Sequence, residues 1–386
     1  TALTRDKQVG KHVVPIIPDE ARTFGMEGLF RQLGIYSSVG QLYEPEDADQ
    51  LMYYKEDKKG QILEEGIDEA GAMSTWLAAA TSYANHGVNM IPFYIFYSMF
   101  GFQRIGDLAW AAGDIQARGF LMGGTAGRTT LNGEGLQHQD GHSQLLASAI
   151  PNCVSYDPAF AYELAVILQG GMQRMYAEQE HVFFYITIYN ENYWQPALPE
   201  GVEEGILRGM YCYSRADMAG DAPRVQLLGS GSIFREVMAA AQLLADDWGV
   251  PADIWSCPSF TELARDGMAA QRQQRLNSDT SVAQPYVERC LAGQRGPAIA
   301  ATDYVRAYAE QIRAYLDRPY WVLGTDGFGR SDTRQSLRRF FEVDRYHIVS
   351  AALWALAEQG EIDAERAAQA SEKYGLEVAA PNPWEV

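Results

Sequence analysis

A glycine-rich segment at residues 123–143 holds two of the six histidines in the chain. His138 and His142 lie there, behind the acid Glu134, and five glycines fall between residues 123 and 135. So many glycines oppose a stable helix or strand interior but let backbone approach a ligand closely. A metal site on the two histidines, a purely structural loop and an active-site loop all remain open. The composition favours the active-site loop.

An acid, Glu69, stands at the start of an otherwise apolar helical pattern that runs over residues 69–86. A carboxylate there benefits from the positive end of the helix dipole, so a plain helix-start acid is one interpretation. A functional carboxylate is the other. The spacing alone favours the interpretation as a helix-start acid.

Six aromatic residues crowd into positions 93–102. Packing of a buried strand accounts for most of them. Alternation along a strand directs Tyr97 to one face and Ser98 to the other, and the strand end near Phe100 could present rings to a flat ligand.

Strand and helix signals alternate along the first half of the chain. Strand-like runs occur at residues 13–17, 90–98, 154–156 and 183–189, and helical patterns at 69–86, 105–118 and 158–176. Asp157 and Pro158 fit the N-cap and the first position of the last of these helices. This order predicts a mostly parallel sheet covered by helices.

A polar stretch at residues 214–223 contains a glycine and a proline and predicts a domain boundary. Beyond it, strands are expected at residues 225–228, 253–256, 298–301 and 320–323, and helices at 233–248, 303–315, 333–341 and 348–359. The Gly-Ser-Gly-Ser run at 229–232 is interpreted as a tight strand-to-helix turn, because the dinucleotide-binding glycine spacing is missing. The sequence therefore predicts an α/β fold with two domains, residues 1–213 and 224–386, each a mostly parallel sheet flanked by helices.

The charge and composition narrow the possible partners and locations. The net charge of −19 disfavours nucleic acid, which carries a phosphate backbone of the same sign. No apolar run reaches the roughly 18 residues of a membrane span, and residues 1–11 lack a signal-peptide pattern. The four cysteines form no CxxC pair, which fits reduced thiols and no metal site. A cytoplasmic protein without membrane or nucleic-acid partners is expected.

Four segments, at residues 19–30, 90–113, 124–143 and 324–332, resemble one family almost unaltered. The family is the single-chain (homodimeric) bacterial E1 component of pyruvate dehydrogenase, within the thiamine-diphosphate-dependent transketolase-like superfamily. The resemblance covers essentially the whole chain and corresponds to the C-terminal part of a much longer one. It implies a thiamine pyrimidine-binding domain over residues 1–213 and a transketolase-type C-terminal domain over 224–386.

The resemblance also implies roles for particular residues. Glu69 would be the acid at N1′ of the cofactor's aminopyrimidine, and Phe100 would stack on that ring. Tyr97 and His138 would orient pyruvate and manage protons. Glu20, Glu134 and His142 match further residues of the same region, with Glu20 toward the cofactor and the other two in supporting positions.

One family feature is missing from the sequence. Enzymes of this kind hold the cofactor's diphosphate through Mg²⁺ on a domain carrying a Gly-Asp-Gly motif, and no Gly-Asp-Gly occurs here. A split-enzyme subunit and a fragment of a longer chain both fit. The expected partners are a diphosphate-binding chain or segment, a second copy in a dimer or heterotetramer, and a lipoyl domain or carrier protein.

The implied reaction is oxidative decarboxylation of pyruvate with transfer of the acetyl group to a lipoyl group. A second enzyme hypothesis is a subunit of a split transketolase-like enzyme that passes a two-carbon unit to a carrier protein. A non-catalytic assembly subunit is the third.

Overall fold

The computed structural model describes residues 2–386 except 19–20, 22–23, 47–53, 217–221 and 278–282. These residues pack into two compact units that interleave along the chain. The first unit comprises Thr1–Gly124, Ala149–Val154 and Gly171–Asn190, and the second Thr125–Ser148, Ser155–Gly170 and Glu191–Val386. The predicted boundary at residues 214–223 includes residues outside the described part, so the domain limits stay a prediction.

The first unit is built on a six-stranded sheet with the order β4-β1-β5-β6-β8-β7. The pairs β1–β4, β1–β5, β5–β6 and β6–β8 are all parallel. The strands of this half of the chain are β1 (Val13–Ile17), β2 (Ile35–Tyr36), β3 (Glu56–Asp57), β4 (Leu63–Glu64), β5 (Ile91–Tyr97), β6 (Phe120–Gly124), β7 (Cys153–Tyr156) and β8 (Phe183–Thr187), with β2 and β3 paired separately.

Helices join these strands along the chain. They are α1 (Ala2–Arg5), α2 (Glu27–Leu33), α3 (Glu69–Ala80), α4 (Ser82–Asn85), α5 (Phe102–Asp114), α6 (Ser143–Ser148), α7 (Ala161–Met172) and α8 (Glu203–Arg208). In the first unit α3 lies against the sheet, where the buried Trp76 donates its ring N–H to the Phe120 carbonyl at 3.1 Å. That contact ties the helix that begins at Glu69 to the middle of the sheet.

The second unit contains a five-stranded sheet with the order β13-β12-β10-β11-β9. Its strands are β9 (Tyr211–Ser214), β10 (Val225–Gly229), β11 (Ala252–Ser256), β12 (Ala298–Ala301) and β13 (Tyr320–Leu323), with β9 antiparallel at the edge. The helices are α9 (Phe234–Trp248), α10 (Phe260–Asn277), α11 (Tyr286–Leu291), α12 (Arg306–Glu310), α13 (Arg334–Phe340), α14 (Arg345–Glu358) and α15 (Ala364–Lys373). The predicted α/β class with two mostly parallel sheets is confirmed.

Two local predictions are wrong. Asp157 does not cap the next helix, because α7 begins at Ala161 and Asp157 is buried, accepting a hydrogen bond from the Ser230 hydroxyl at 2.6 Å. The N–H of Ala161, the first residue of α7, donates instead to Gln195 Oε1 at 2.9 Å. Gly123 and Gly124, expected in a loop, are the last residues of β6.

Close packing explains why glycines end that strand. A Cβ on Gly123 would lie 2.4 Å from the Tyr185 hydroxyl, and one on Gly124 would lie 2.4 Å from the Phe24 ring. Any larger residue would force these aromatic side chains away from the strand.

The stretch of residues 40–57 is rich in acids and contains Pro45, which predicts an irregular, mobile loop; residues 47–53 of it lie outside the described part. The remainder includes the short strand β3 and a hydrogen bond from the Tyr43 hydroxyl to Glu56 at 2.9 Å.

Candidate active site

Glu69 is held at the first turn of α3. Asp68 caps the helix by accepting the Gly71 N–H at 3.0 Å, so Glu69 stands at the positive end of the helix dipole. Its side chain is only 12% exposed, and Arg104 Nη1 contacts its Oε1 at 2.7 Å. Oε2 has no hydrogen-bond or ion-pair partner within the part of the chain that the structure describes. One carboxylate oxygen is therefore anchored and the other remains available.

Aromatic rings stand beside this carboxylate in the first unit. The Arg104 guanidinium lies 4.1 Å from the centroid of the Phe100 ring, so Arg104 joins Phe100 to Glu69. Tyr97 packs edge-on against Phe100 with centroids 5.8 Å apart, and against Phe24 at 5.3 Å. The start of α3 supplies the carboxylate, α5 supplies the cation, and the segment from the end of β5 to Phe100 supplies the rings.

His138 and Glu134 are neighbours in the second unit. His138 Nδ1 lies 3.6 Å from Glu134 Oε2, with the histidine side chain 20% exposed and the glutamate 54% exposed. The chain makes turns rather than a helix here. Gly135, between the two, has a positive φ of 81°, a backbone conformation that favours glycine.

His142 contacts a buried arginine instead. Arg128 Nη2 lies 3.5 Å from His142 Nδ1, and Asp140 accepts the His142 backbone N–H at 2.9 Å. Burial lowers the pKa of Arg128, while the nearby carboxylates Asp140 and Asp303 act to raise it. Nothing in the spacing of the glycine-rich segment indicated Arg128, since an arginine among glycines looks like an ordinary surface residue.

The buried carboxylate of Asp303 accepts hydrogen bonds from the same glycine-rich segment. Asp303 accepts the Thr129 N–H at 2.9 Å and the hydroxyls of Thr129 and Thr130 at 2.7 and 2.6 Å. Burial raises the pKa of Asp303, opposed by these hydrogen bonds and by the charge of Arg338. Asp303 therefore anchors Thr129 and Thr130, which precede His138 and His142 in this segment.

The predicted site residues fall into two groups. Glu69, Tyr97 and Phe100 come together in the first unit, joined by Arg104, which sequence reasoning missed. Glu134 with His138, and separately His142, lie in the second unit. Glu20 lies outside the described residues. Arg104 could have been suspected from its place one turn beyond Phe100.

The N-cap of α3 gives a first testable prediction. Asp68→Ala should lower the free energy of unfolding by about 1 kcal/mol, because the Gly71 N–H loses its acceptor. Urea unfolding measures the change, and the exposed Asp107→Ala on α5 is the charge-matched control. Equal losses in the two variants would contradict a capping role.

Among the described residues, no group of three or more His, Cys, Asp or Glu side chains is arranged to hold a metal ion. None of the helices in that part of the chain is long and apolar enough to cross a membrane.

Two family models match most of the chain, and known proteins resemble it over essentially its whole length. The pyruvate dehydrogenase E1 component middle domain matches residues 1–196, and the transketolase-like C-terminal domain matches residues 209–344. Curated relatives named pyruvate dehydrogenase E1 component are 63% identical in Cupriavidus necator (100% of this chain, 43% of the relative) and 58% in Escherichia coli (99% and 43%). The chain thus spans less than half the length of these relatives.

Solved structures with the same fold are more distant in sequence. Transketolase from Leishmania mexicana superposes with a TM-score of 0.65 at 17% identity, covering 90% of this chain and 43% of that one. A split-gene transketolase chain, from an inactive β4 tetramer, superposes with a TM-score of 0.53 at 14% identity, covering 88% and 97%. On the match to its middle domain and the identity to its members, the chain belongs to the pyruvate dehydrogenase E1 component family.

Proposed function

We propose that the chain supplies the pyrimidine-binding side of a thiamine diphosphate site that carries out the oxidative decarboxylation of pyruvate and acetyl transfer to a lipoyl group. The arrangement of Glu69 carries the proposal. Its carboxylate is largely shielded from water, fixed through Oε1 by Arg104, and open at Oε2. Such a group can exchange a proton with a ring nitrogen placed beside it.

The neighbouring residues fit an aminopyrimidine. A flat heteroaromatic ring needs an aromatic face to stack on and a carboxylate at its edge. Phe100 offers the face, and Glu69 the edge contact. Arg104 lies over the Phe100 ring and restrains both side chains.

Thiamine diphosphate, when bound, supplies the nucleophilic carbon that attacks a carbonyl and allows the adjacent carbon–carbon bond to break. Glu69 would hold and return the proton at N1′ of the pyrimidine. The surrounding apolar strand β5 would limit water at that edge, which strengthens a hydrogen bond to the carboxylate.

His138 is assigned to the substrate end. An imidazole can give and take a proton near neutral pH, and Glu134 at 3.6 Å is placed to orient it. Tyr97 would help to orient pyruvate through its hydroxyl. His142, held by Arg128 and Asp140, would support the same loop.

The diphosphate end of the cofactor needs a further domain. The sequence has no Gly-Asp-Gly motif for Mg²⁺. We propose that another chain or segment supplies the metal site, within a dimer or heterotetramer, and that a lipoyl domain accepts the acetyl group. The domain limits of 1–213 and 224–386 are part of this proposal.

A second candidate is a subunit of a split transketolase-like enzyme that transfers a two-carbon unit to a carrier protein. The split-gene transketolase chain favours it, since this chain covers 97% of that one. The relatives at 63% and 58% identity favour the pyruvate dehydrogenase proposal. Acetylation of a lipoyl domain from labelled pyruvate by the assembled enzyme separates the two.

The chain alone should bind thiamine diphosphate weakly and decarboxylate no pyruvate. The reason is that the diphosphate contributes much of the charge available for binding, and its Mg²⁺ site is missing. Calorimetry with Mg²⁺ present measures the affinity, and repeating it after adding a polypeptide with a Gly-Asp-Gly domain is the control. Micromolar or tighter binding by the chain alone would contradict the proposal.

A further inference from the structure

A cavity of about 700 Å³ lies within the second unit, between α9, α13 and the start of α14. Five arginines line it, namely Arg235, Arg334, Arg338, Arg339 and Arg345. The chain as a whole carries a net charge of −19, so this concentration of one basic residue type is unusual for it. We call this cavity the arginine pocket.

Three of these arginines form ion pairs with two shared carboxylates. Glu191 accepts from Arg235 Nη1 at 2.7 Å and from Arg338 Nη2 at 2.5 Å. Glu236 pairs with Arg345 through both of its oxygens, at 2.9 and 3.0 Å, and lies 3.5 Å from Arg338. Sharing of this kind leaves the group of three guanidiniums one positive charge in excess.

The other two arginines are bound mainly by backbone carbonyls. Arg334 Nε donates to the Thr130 carbonyl at 2.6 Å, and its distance to Glu191 is 3.9 Å. Arg339 Nη2 donates to the Tyr374 carbonyl at 3.0 Å. Its Nη1 lies 3.7 Å from Oδ2 of Asp344, the residue that caps α14. Among the described residues, three carboxylates lie within ion-pair distance of the five guanidiniums and a fourth, Asp303, interacts with Arg338, so the arginines outnumber these carboxylates by one.

The side chains that line the arginine pocket indicate the class of ligand that fits it. Guanidinium groups match phosphate oxygens in a fork geometry and remain charged at all working pH values. The volume suits a small molecule rather than a single ion. Tyr346 and Tyr374 also line the pocket, with ring centroids 5.0 Å apart, and offer a surface for a flat ring.

We propose that the arginine pocket binds a small phosphate-bearing molecule of the nucleotide class. Arg334 and Arg339, which have the longest distances to carboxylates, would meet the phosphates, and the tyrosine rings would meet the base. The proposal does not depend on the proposed function, although Arg334 also contacts the Thr130 carbonyl in the segment that carries His138 and His142. The competing explanation is an ion-pair network that only holds α9, α13 and α14 together.

A charge placed in the pocket without breaking any ion pair tests the proposal. Gln335 lines the pocket and is exposed in the first turn of α13, where an added acid suits the helix dipole. Gln335→Glu should therefore keep the fold and weaken binding of ADP about tenfold, the usual effect of one unfavourable charge in a site of this kind. Gln273→Glu, exposed on α10, makes the same charge change elsewhere and should leave binding unchanged.

The titrations use the 386-residue chain, without thiamine diphosphate, and inorganic pyrophosphate as a second probe. ADP should bind more tightly than pyrophosphate because of the tyrosine rings. Arg334→Gln with Arg339→Gln should abolish measurable binding of both, whereas Arg272→Gln with Arg275→Gln on α10 should not. No binding of ADP or pyrophosphate at millimolar concentration would overturn the proposal. Equal binding by Gln335→Glu and Gln273→Glu, or binding of polyglutamate in place of ADP, would do so too.

Discussion

Replacing Glu69 by glutamine should leave the fold intact and reduce pyruvate turnover by the assembled enzyme by roughly 10²-fold or more. An amide has nearly the same shape and can still accept the hydrogen bond from Arg104 that anchors Oε1. It cannot take up and return the proton at the pyrimidine nitrogen. The loss should therefore appear in the turnover number, with little change in the unfolding midpoint.

Glu65→Gln is the matched control, because Glu65 is an exposed acid just before α3. Its turnover should stay normal. Unchanged turnover in Glu69→Gln would show that the catalytic acid lies elsewhere. Unfolding of Glu69→Gln with a stable Glu65→Gln would instead favour the simpler interpretation, an acid that stabilises the start of α3.

His138→Ala should also reduce turnover by roughly 10²-fold or more, the usual scale for a lost acid–base group. Cofactor affinity and the rate of proton exchange at the cofactor's C2 should stay near normal, because His138 is assigned to the substrate end and Glu69 to the pyrimidine. The glycines on either side of His138 let the loop bring the ring close to a substrate. Steady-state kinetics measures turnover, and the C2 exchange rate measures cofactor activation; together they separate the role of His138 from that of Glu69.

The exposed His181→Ala is the control for removing an imidazole. Loss of C2 exchange together with turnover in His138→Ala would place His138 in cofactor activation. If neither quantity changed, His138 would be a structural member of the loop, as its contact with Glu134 alone would allow.

Regular elements with clear end signals could be predicted from the sequence. The strands Val13–Ile17, Ala298–Ala301 and Tyr320–Leu323 occur where the apolar runs placed them. The turn after β10 is a short 3₁₀ segment at Gly231–Ile233 that leads into α9, as its small residues indicated. Local composition was sufficient in these places because the apolar runs end at clear turn signals.

The ends of two predicted helices differ from those in the structure. The helical pattern of residues 69–86 splits into α3 and α4 at Thr81, whose hydroxyl donates to the Leu77 carbonyl at 2.8 Å. Asp157 looks like an N-cap in the sequence, yet it is buried against Ser230 from a segment 73 positions away. No local pattern reports such a partner.

The candidate site shows the same division. The family resemblance predicted roles for Glu69, Phe100 and Tyr97, and the structure brings these three residues together in the first unit. Arg104 was missed because its role comes from two contacts, with Glu69 35 positions earlier and with the Phe100 ring. A pattern search sees an ordinary helix arginine, whereas the fold gives it both partners.

Exchange of the C2 proton of thiamine diphosphate in deuterated buffer tests the central claim most directly. It needs no pyruvate and no acyl acceptor, so it isolates the role of Glu69 from every later step. In the assembled enzyme, Glu69→Gln should slow the exchange by roughly 10²-fold or more relative to the unaltered enzyme, with His138→Ala near normal. Exchange at the normal rate in Glu69→Gln, with the cofactor fully bound, would contradict the account.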